Sequence, residues 1–383
     1  RGVMSIFLSV YNFLRKTLTN TLNVVFWPIY GLISIRKLLL NGPVKRYHKN
    51  GNISVECNRR YGRFHGPYKE YYDNGKIKIE STKKYGKFDG EYKEYYKNGV
   101  LRTEGFMVNN CLCGESHKWF DSGVKWVHCF FSEGLVEGEY KEWYDNGNMK
   151  QHCFMKNSKT YGWYKDFHEN GQLQRLHKRV DDLASGEVKM WYDNGQYQYI
   201  GYMEGGKQVG QWHGWFKNGN LHFVSNFKEG KQHGEVKEWY DDGTLNIRCY
   251  FKHGKKHGEY MDWHPNGNLR QHSTFKEGMS EGPYRDFYEN GQIQRKHVRK
   301  NDKCDGELFM WYPTGELKYH GYMIEGVNHG EWKGYFTNGQ IQFVTHWKNG
   351  KESGSYTEWY ENGQIKLKCY KENGKMSDPP LID

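Results

Sequence analysis

Eight cysteines and eighteen histidines are the side chains in this sequence best suited to metal binding, disulfide formation or catalysis. Cys111 and Cys113, separated by one residue, lie shortly before His117, and this is the one grouping whose spacing suggests a set of metal ligands. No fourth candidate ligand follows nearby, so zinc binding is the weaker interpretation. The sequence predicts no catalytic, metal-binding or cofactor-binding residues.

Five of the cysteines occur at one position of a regular repeat, six residues after a glycine. They are Cys57, Cys129, Cys153, Cys249 and Cys369. Equivalent positions in adjacent hairpins of a β-sheet are two strands apart, roughly 9.6 Å, which is farther than the roughly 7 Å that a disulfide spans. The spacing therefore predicts free thiols packed in a sheet, in keeping with a reducing compartment.

The histidines and carboxylates also recur at fixed repeat positions. Four histidines directly precede a glycine at one repeat position, and three stand where most repeats have tyrosine: His65, His233, His257 and His329, then His48, His168 and His264. Five glutamates share a position opposite lysines: Glu70, Glu94, Glu142, Glu238 and Glu358. These patterns predict packing, turns and cross-strand charge pairs. Because no Walker loop, nucleophile elbow or H-E-x-x-H motif occurs, the protein is predicted not to be an enzyme.

The repeat has a period of 24 residues, marked by two series of glycines in constant phase. One of these two series has glycines every 24 residues from Gly42 to Gly354 and is called the second series. The first series, here called the turn glycines, comprises Gly51, Gly75, Gly99, Gly123, Gly147, Gly171, Gly195, Gly219, Gly243, Gly267, Gly291, Gly315, Gly339 and Gly363. Such self-similarity predicts a tandem array of supersecondary units.

Each repeat has the pattern of one β-hairpin. Asn precedes the turn glycine in eleven of the fourteen repeats, and Asn-Gly supplies the positive-φ residues of a tight hairpin turn. A looser turn, as in Glu229-Gly230 to Gly234, is predicted to lead to the next repeat. Some residues recur after 120 positions, such as Gly201 and Gly214 at Gly321 and Gly334, which indicates growth by duplication of a five-repeat block.

An aromatic residue lies four positions before every turn glycine, and an apolar residue follows two positions after nearly all of them. Because consecutive strand residues point to opposite faces, each hairpin is expected to place a ring on both sides of its sheet. The tryptophans at this position are the candidate partner-binding surface: Trp119, Trp143, Trp191, Trp215, Trp239, Trp263, Trp311 and Trp359. A stacking platform for nucleic acids or glycans is the weaker alternative.

The predicted fold is all-β: an elongated, single-layer, twisted antiparallel sheet of about 14 tandem 24-residue β-hairpin repeats. The array is expected over residues 42–375, between an N-terminal helical anchor (residues 1–41) and a C-terminal tail (376–383). A mean hydropathy of −0.98 with 17% aromatic residues suits a thin sheet rather than a thick core. The net charge of +11 includes +5 from residues 1–41, and the array has no basic cluster, so no dedicated nucleic-acid site is expected.

The N-terminal segment is predicted to be an amphipathic, hydrophobic helix with a basic polar face. Its apolar residues are Phe7, Val10, Tyr11, Leu14, Leu18, Leu22, Val25, Phe26, Trp27 and Ile29. The 19 uncharged residues between Lys16 and Arg36 barely reach the length of a transmembrane helix. A helix lying in a membrane interface or against a protein partner is favoured over a membrane span and over a cleaved targeting peptide.

The [WY]-Y-x-N-G core and the G-K-x-x-G connector resemble the variant form of the MORN repeat, over residues 42 to about 375. The resemblance implies a non-catalytic scaffold of glycine-punctuated hairpins, often linked to membranes or protein assembly. The variant form is greatly expanded in giant DNA viruses, notably the marseilleviruses. The resemblance therefore implies that the protein is a minor capsid-associated component. It would lie in a virion or at a virus-assembly membrane in the host cytoplasm, with capsid or membrane-associated proteins as partners. The alternative is a soluble cytoplasmic module, antitoxin-like or host-factor-binding, that is not part of a particle.

Overall fold

A computed structural model describes residues 41–377, which form β-strands joined by short turns. The predicted N-terminal helix, with all of its proposed anchor residues from Phe7 to Ile29, lies outside the described residues, as does most of the predicted tail. Between residues 41 and 377 there is no helix long and apolar enough to cross a membrane. The chain divides into two compact units, Arg1–Glu137 and Gly138–Asp383.

The first unit contains eight complete strands, and the unit boundary falls within a ninth. Their bounds are β1 (Gly42–Tyr47), β2 (Ile53–Arg60), β3 (Arg63–Tyr71), β4 (Ile77–Lys84), β5 (Lys87–Tyr95), β6 (Leu101–Val108), β7 (Cys111–Trp119), β8 (Lys125–Ser132) and β9 (Leu135–Trp143). Successive strands from β1 to β8 pair antiparallel in the order of the chain.

The second unit continues with the same alternation of nine- and eight-residue strands. The bounds are β10 (Met149–Lys156), β11 (Lys159–Phe167), β12 (Leu173–Val180), β13 (Leu183–Trp191), β14 (Tyr197–Glu204), β15 (Lys207–Trp215), β16 (Leu221–Lys228), β17 (Lys231–Trp239), β18 (Leu245–Lys252), β19 (Lys255–Trp263), β20 (Leu269–Lys276), β21 (Met279–Phe287), β22 (Ile293–Lys300), β23 (Lys303–Cys304), β24 (Gly306–Trp311), β25 (Leu317–Ile324), β26 (Val327–Tyr335), β27 (Ile341–Lys348), β28 (Lys351–Trp359), β29 (Ile365–Glu372) and β30 (Lys375–Ser377).

Strand pairing in the second unit also follows the order of the chain. β17 pairs with β18 and β18 with β19, both antiparallel, and β22 pairs with both the short β23 and β24. The all-β antiparallel hairpin array predicted from the glycine period is confirmed in both units. The predicted domain boundaries at residues 41 and 376 stay predictions, because the flanking segments lie outside the described residues.

The turn at the turn glycine differs from the tight two-residue Asn-Gly turn expected from sequence. At Gly219, the Phe216 N–H donates to Asn220 O (2.8 Å) and the Gly219 N–H donates to Phe216 O (2.9 Å), so three residues form the loop. Only Gly219 has a positive φ, +91°, whereas Asn218 does not. The prediction that both residues supply positive φ is therefore wrong here. This is the three-residue hairpin that ends in a glycine bulge.

The two-residue turn lies at the connector between repeats, which sequence analysis predicted to be the looser one. Lys228 pairs with Lys231 across Glu229 and Gly230, and both central residues have positive φ, 53° and 80°. That combination defines a type I′ turn, whose twist matches that of the flanking strands. The second-series glycine that follows, Gly234, lies inside β17 with φ +93°, next to a break in the register with β16.

Side chains at the turn-glycine edge join each hairpin to the next one. The residue three positions before the turn glycine donates its hydroxyl to a carbonyl 23 residues later, as from Tyr240 to Trp263 O (2.8 Å). His168 makes the same contact through Nε2 with Trp191 O (2.9 Å), which confirms the predicted structural role of the histidines that replace tyrosine. The asparagine adds a second link: Asn218 Nδ2 donates to Asp241 O (2.9 Å) while its Oδ1 accepts from Asn220 N (2.9 Å).

The opposite edge is joined through the connector turns. The Gly230 N–H donates to Gln208 O (2.9 Å), one repeat earlier, and the Gly254 N–H donates to Gln232 O in the same way (2.8 Å). In connectors without glycine a side chain can add a further bond, as Asp182 Oδ1 does by accepting from Thr160 N (2.6 Å) and Asn110 Oδ1 by accepting from Phe88 N (2.6 Å). Both edges of the sheet are thus bonded from repeat to repeat, beyond the strand ladders themselves.

Candidate binding faces of the sheet

One face of the sheet, here called the core face, carries the residues seven before and six after each turn glycine. Val236, Cys249 and Tyr260 are examples on adjacent strands, and all three are buried. Val236 and Tyr260 lie opposite Cys249 from its two sides. In these strands a large side chain packs beside a small one, so that the single-layer sheet has a row of buried and half-buried residues along this face.

The volumes in this row are complementary from strand to strand. Where the large position is Trp212, its small partner is Gly201, at which an added Cβ would lie 2.1 Å from the indole ring. The same pair recurs as Trp332 and Gly321, again at 2.1 Å. The 120-residue recurrence seen in the sequence thus preserves a packing pair. Sequence analysis did not identify this row, although the five cysteines at a shared position were a signal of its small side.

Charged groups border the buried row on the core face. Tyr260 Oη donates to Asp262 Oδ2 (2.9 Å), and Arg270 binds both oxygens of the same carboxylate, through Nε (3.0 Å) and Nη2 (2.9 Å). The Asp262 residue is only 2% exposed. Its hydrogen bonds to Arg270 raise the pKa of the guanidinium, and burial raises the pKa of the Tyr260 hydroxyl.

The shared glutamate position pairs with cations, as predicted from sequence. Glutamates at four of the five predicted positions bind a basic side chain at 2.7–3.1 Å: Glu70 with Lys78, Glu94 with Arg102, Glu142 with Lys150 and Glu358 with Lys366. These pairs lie within single hairpins, across the turn. They contribute to hairpin register rather than to a chemical site.

Two histidines fill the small position of the core face. His177 and His297 are 2% and 5% exposed, and their Nε2 atoms accept hydrogen bonds from Arg179 Nε (3.1 Å) and Arg299 Nε (3.2 Å). An acceptor nitrogen requires the neutral imidazole. Burial, with the neighbouring arginines, lowers the pKa of both histidines to about 4.

The opposite face, here called the ladder face, carries the aromatic residues four positions before the turn glycines. The Trp191 ring packs on Tyr197 (5.4 Å between centroids), which packs on Trp215 of the next hairpin (5.9 Å). This confirms that the residue two after the turn glycine fills the space between successive rings. All eight tryptophans predicted as a partner surface are half-buried.

A row of charged residues runs beside these rings, at positions eight and six before and five after the turn glycine. Lys69 binds Glu80 (2.9 Å) and Lys93 binds Glu104 (3.0 Å) in the first unit. In the second unit Glu235 binds Arg248 (2.7 Å). The alternation of sign neutralises the row locally.

Several exposed rings on the ladder face lie seven residues after the turn glycine, a position that was not singled out from the sequence. In the first unit these are Phe106 and Phe130, 47% and 48% exposed. In the second unit, Phe154 and Trp163 border a shallow groove of about 300 Å³ that is also lined by Leu176. Exposed aromatic groups of this kind favour contact with another protein.

A second groove lies on the core face of the second unit. It has a volume of about 380 Å³ and is lined mainly by apolar side chains. Leu308, Tyr319, Trp332 and Phe343 are among them. Within the described part of the chain, the grooves are open depressions along the sheet whose linings are built from the repeat residues themselves.

All eight cysteines lie within the described residues and are free thiols, which confirms the prediction from strand spacing for the five at the shared repeat position. Burial raises the pKa of the Cys153 and Cys249 thiols to about 11, which keeps them protonated at neutral pH. Cys111 and Cys113 do not come together with His117. Between residues 41 and 377, the group of three potential metal ligands is instead Glu115, His117 and His128.

The family comparison identifies the repeat directly. Ten segments of the chain match the profile described as the MORN repeat variant: residues 40–60, 64–82, 88–109, 136–157, 184–204, 232–253, 256–277, 280–301, 328–349 and 352–371. Together they cover more than half of the sequence. No curated protein sequence matches the chain significantly.

Solved structures with detectable similarity are parts of much larger chains. The chain matches a crystal structure of TcdB2-TccC3-Cdc42 at 12% identity and a TM-score of 0.17, covering 87% of this chain and 18% of that one. A Photorhabdus luminescens Tc holotoxin pore structure matches at 9% identity and a TM-score of 0.15, covering 88% and 23%. The chain thus spans about a fifth of the length of these proteins, and the low scores support no functional conclusion.

Proposed function

Since the chain belongs to the MORN repeat variant family, we propose that it is a non-catalytic scaffold that binds other proteins along the ladder face. The observation that supports this most is the row of exposed rings at the position seven residues after the turn glycine. Phe106 and Phe130 occupy it in adjacent hairpins of the first unit. The core face, by contrast, uses its large side chains for internal packing.

The half-buried tryptophans extend this surface. Each of the eight predicted positions, for example Trp191 and Trp215, contributes the part of its ring that is not covered by the neighbouring hairpin. Tryptophan and other aromatic residues dominate the energetics of protein interfaces because they bury a large area with few rotatable bonds. The proposed partner-binding surface therefore combines the tryptophan row with the exposed phenylalanines.

The binding experiment compares two substitutions that add the same charge at different places. Lys178 occupies the exposed-ring position in another hairpin, so Phe130→Lys is compatible with the fold. Val180→Lys, at the end of β12 and 60% exposed, introduces the residue found at the equivalent position of seven of the fourteen repeats. Proteins that co-purify with the full chain and are lost with Phe130→Lys but kept with Val180→Lys would support the exposed-ring row, rather than the margin of the ladder face, as the binding surface. Equal retention by both variants would reject it.

We further propose that residues 1–41 anchor the scaffold to a membrane or a larger assembly. The apolar helical pattern from Phe7 to Ile29 and the five basic residues with no acid support this proposal. Deletion of residues 1–41 is expected to shift the protein from a membrane or particle fraction to the soluble fraction. Unchanged partition would favour the alternative, a soluble binding module of the antitoxin-like or host-factor-binding kind.

The setting proposed for the scaffold is a giant-virus particle, as a minor capsid-associated component. The support is the resemblance of the [WY]-Y-x-N-G repeat to forms expanded in such viruses. Partners would then be other structural proteins, capsid or membrane-associated. Quantitative mass spectrometry of purified particles tests the proposal, and absence of the chain from them would reject it.

A further inference from the structure

We propose that Glu115, His117 and His128 form a binding site for a divalent transition-metal ion, and the donor set favours Zn²⁺. The three residues lie on the ladder face of the first unit, on β7 and β8. His117 and His128 are direct cross-strand partners. One ligand atom from each of the three side chains lies within 4.8 Å of the other two.

Two of the three distances between ligand atoms are at or slightly below those of a zinc site, so small side-chain shifts would admit an ion. His128 Nε2 lies 2.9 Å and His117 Nε2 lies 3.3 Å from the same oxygen, Glu115 Oε1. Zinc bonds of about 2.0–2.2 Å in tetrahedral geometry place neighbouring ligand atoms roughly 3.3–3.5 Å apart. Two imidazoles and a carboxylate are a known zinc donor set, which leaves one position for water or for a group from a partner.

The two imidazoles converge on one carboxylate and have few other polar partners. Their rings are stacked, with centroids 4.7 Å apart and planes at 14°. On its other side His117 pairs with Glu104, whose carboxylate already binds Lys93 (3.0 Å). An ion between Glu115 and the two Nε2 atoms would replace a shared proton with three coordinate bonds, and the Glu115 side chain is exposed enough for the ion to enter.

The repeat provides internal controls, because every hairpin has the same three positions on the ladder face. The next hairpin has Glu139 and His152 (3.0 Å apart), but Lys141 replaces the first histidine and binds Glu139 (2.8 Å). Two other hairpins have Met261 and Phe309 at this position. Among the described hairpins, only the one at Gly123 combines the glutamate with both histidines. The combination is therefore not a by-product of the repeat consensus.

The test measures Zn²⁺ binding to the metal-stripped full chain by isothermal titration calorimetry. The wild type is expected to bind one Zn²⁺ ion. His117→Lys introduces the residue found in neighbouring hairpins and should weaken binding at least about tenfold without unfolding the sheet, because a ligand is lost. Cys111→Ser should leave the affinity unchanged.

A gain-of-site variant makes the test independent of any loss of folding. Lys141→His completes the same triad with Glu139 and His152, so the variant should bind two Zn²⁺ ions. The double variant His117→Lys/Lys141→His should return to one. Absence of Zn²⁺ binding by the wild type, equal affinity in His117→Lys, or loss of binding only in Cys111→Ser would each overturn the proposal.

Discussion

On the core face, a large side chain seven residues before a turn glycine packs between small ones on the two adjacent strands, as Tyr260 does against Cys249. On the ladder face, each ring packs against its neighbours along the row, as Trp191, Tyr197 and Trp215 do, and these rings stay half-buried. The two faces belong to the same strands, yet only the first excludes solvent. The difference indicates that the core face supplies most of the stability and leaves the ladder face free to vary.

The largest expected effect is overpacking of the core face. Gly201→Val would force side-chain atoms into the Trp212 ring, where even a Cβ lies at 2.1 Å, and should lower the free energy of unfolding by about 3 kcal/mol. Urea denaturation followed by circular dichroism measures it. The compensated variant Gly201→Ser/Trp212→Tyr reproduces the pair Ser81 and Tyr92 of another hairpin and should recover most of the loss. Failure of this rescue would show that volume complementarity is not what holds the row.

A smaller effect is expected from removing one partner of the buried ion pair. Arg270→Ala leaves the Asp262 carboxylate buried without its guanidinium, which should cost about 2–3 kcal/mol of unfolding free energy. Lys69→Ala removes an exposed ion pair with Glu80 on the ladder face and should cost less than about 1 kcal/mol. Equal costs for the two variants would contradict the assignment of stability to the core face.

Acid should destabilise the core face through its histidines. The pKa of His177 is about 4 in the folded chain and roughly 6.5 in an unfolded one, so the unfolded state binds more protons between these values. The contribution is present above about pH 6.5 and is lost as the pH falls toward 4, by about 3 kcal/mol for each buried histidine.

The matched variant is His177→Ser, since serine occupies this position at Ser225 and Ser273. Unfolding free energies at pH 7 and pH 4.5 should differ less in this variant than in the wild type. An unchanged pH dependence would mean that His177 titrates normally in the folded chain.

The smallest effect concerns the edge bonds. Tyr240→Phe removes the hydroxyl that donates to Trp263 O but keeps the ring, and phenylalanine is native at this position in Phe216. The expected cost is about 1 kcal/mol. Hydrogen exchange should show faster opening of the hairpins on either side, with little change elsewhere, and a uniform change along the chain would contradict a local link.

Most of the fold follows from the sequence because glycine and asparagine mark the turns in constant phase. The strands, their antiparallel order, the free cysteines and the glutamate pairs were all predictable from position alone. The turn types were not predictable: the type I′ turn lies at the connector, and the turn at Gly219 has three residues. Asn-Gly is typical of a type I′ turn, but Asn218 uses its side chain to bind the next hairpin. That contact joins residues 23 positions apart, so it cannot be predicted from the preferences of adjacent residues in a turn.

The candidate sites were less predictable. The aromatic position of Trp191 is conspicuous in the sequence, but the more exposed Phe130 lies at a position whose residue type varies among repeats. The Glu115, His117 and His128 group was missed because its third member lies across the turn, eleven residues from His117. Only the register of β7 with β8 brings it opposite.

The links at both edges limit how such a chain can change in length. A residue inserted in one hairpin would displace the bond from Tyr240 to Trp263 O at one margin and the bond from Gly254 N to Gln232 O at the other. Selection should therefore remove single-residue insertions and deletions, whereas gain or loss of complete 24-residue repeats preserves the hydrogen bonds between repeats. The five-module recurrence from Gly201 to Gly321 is the kind of genetic record that this constraint would leave.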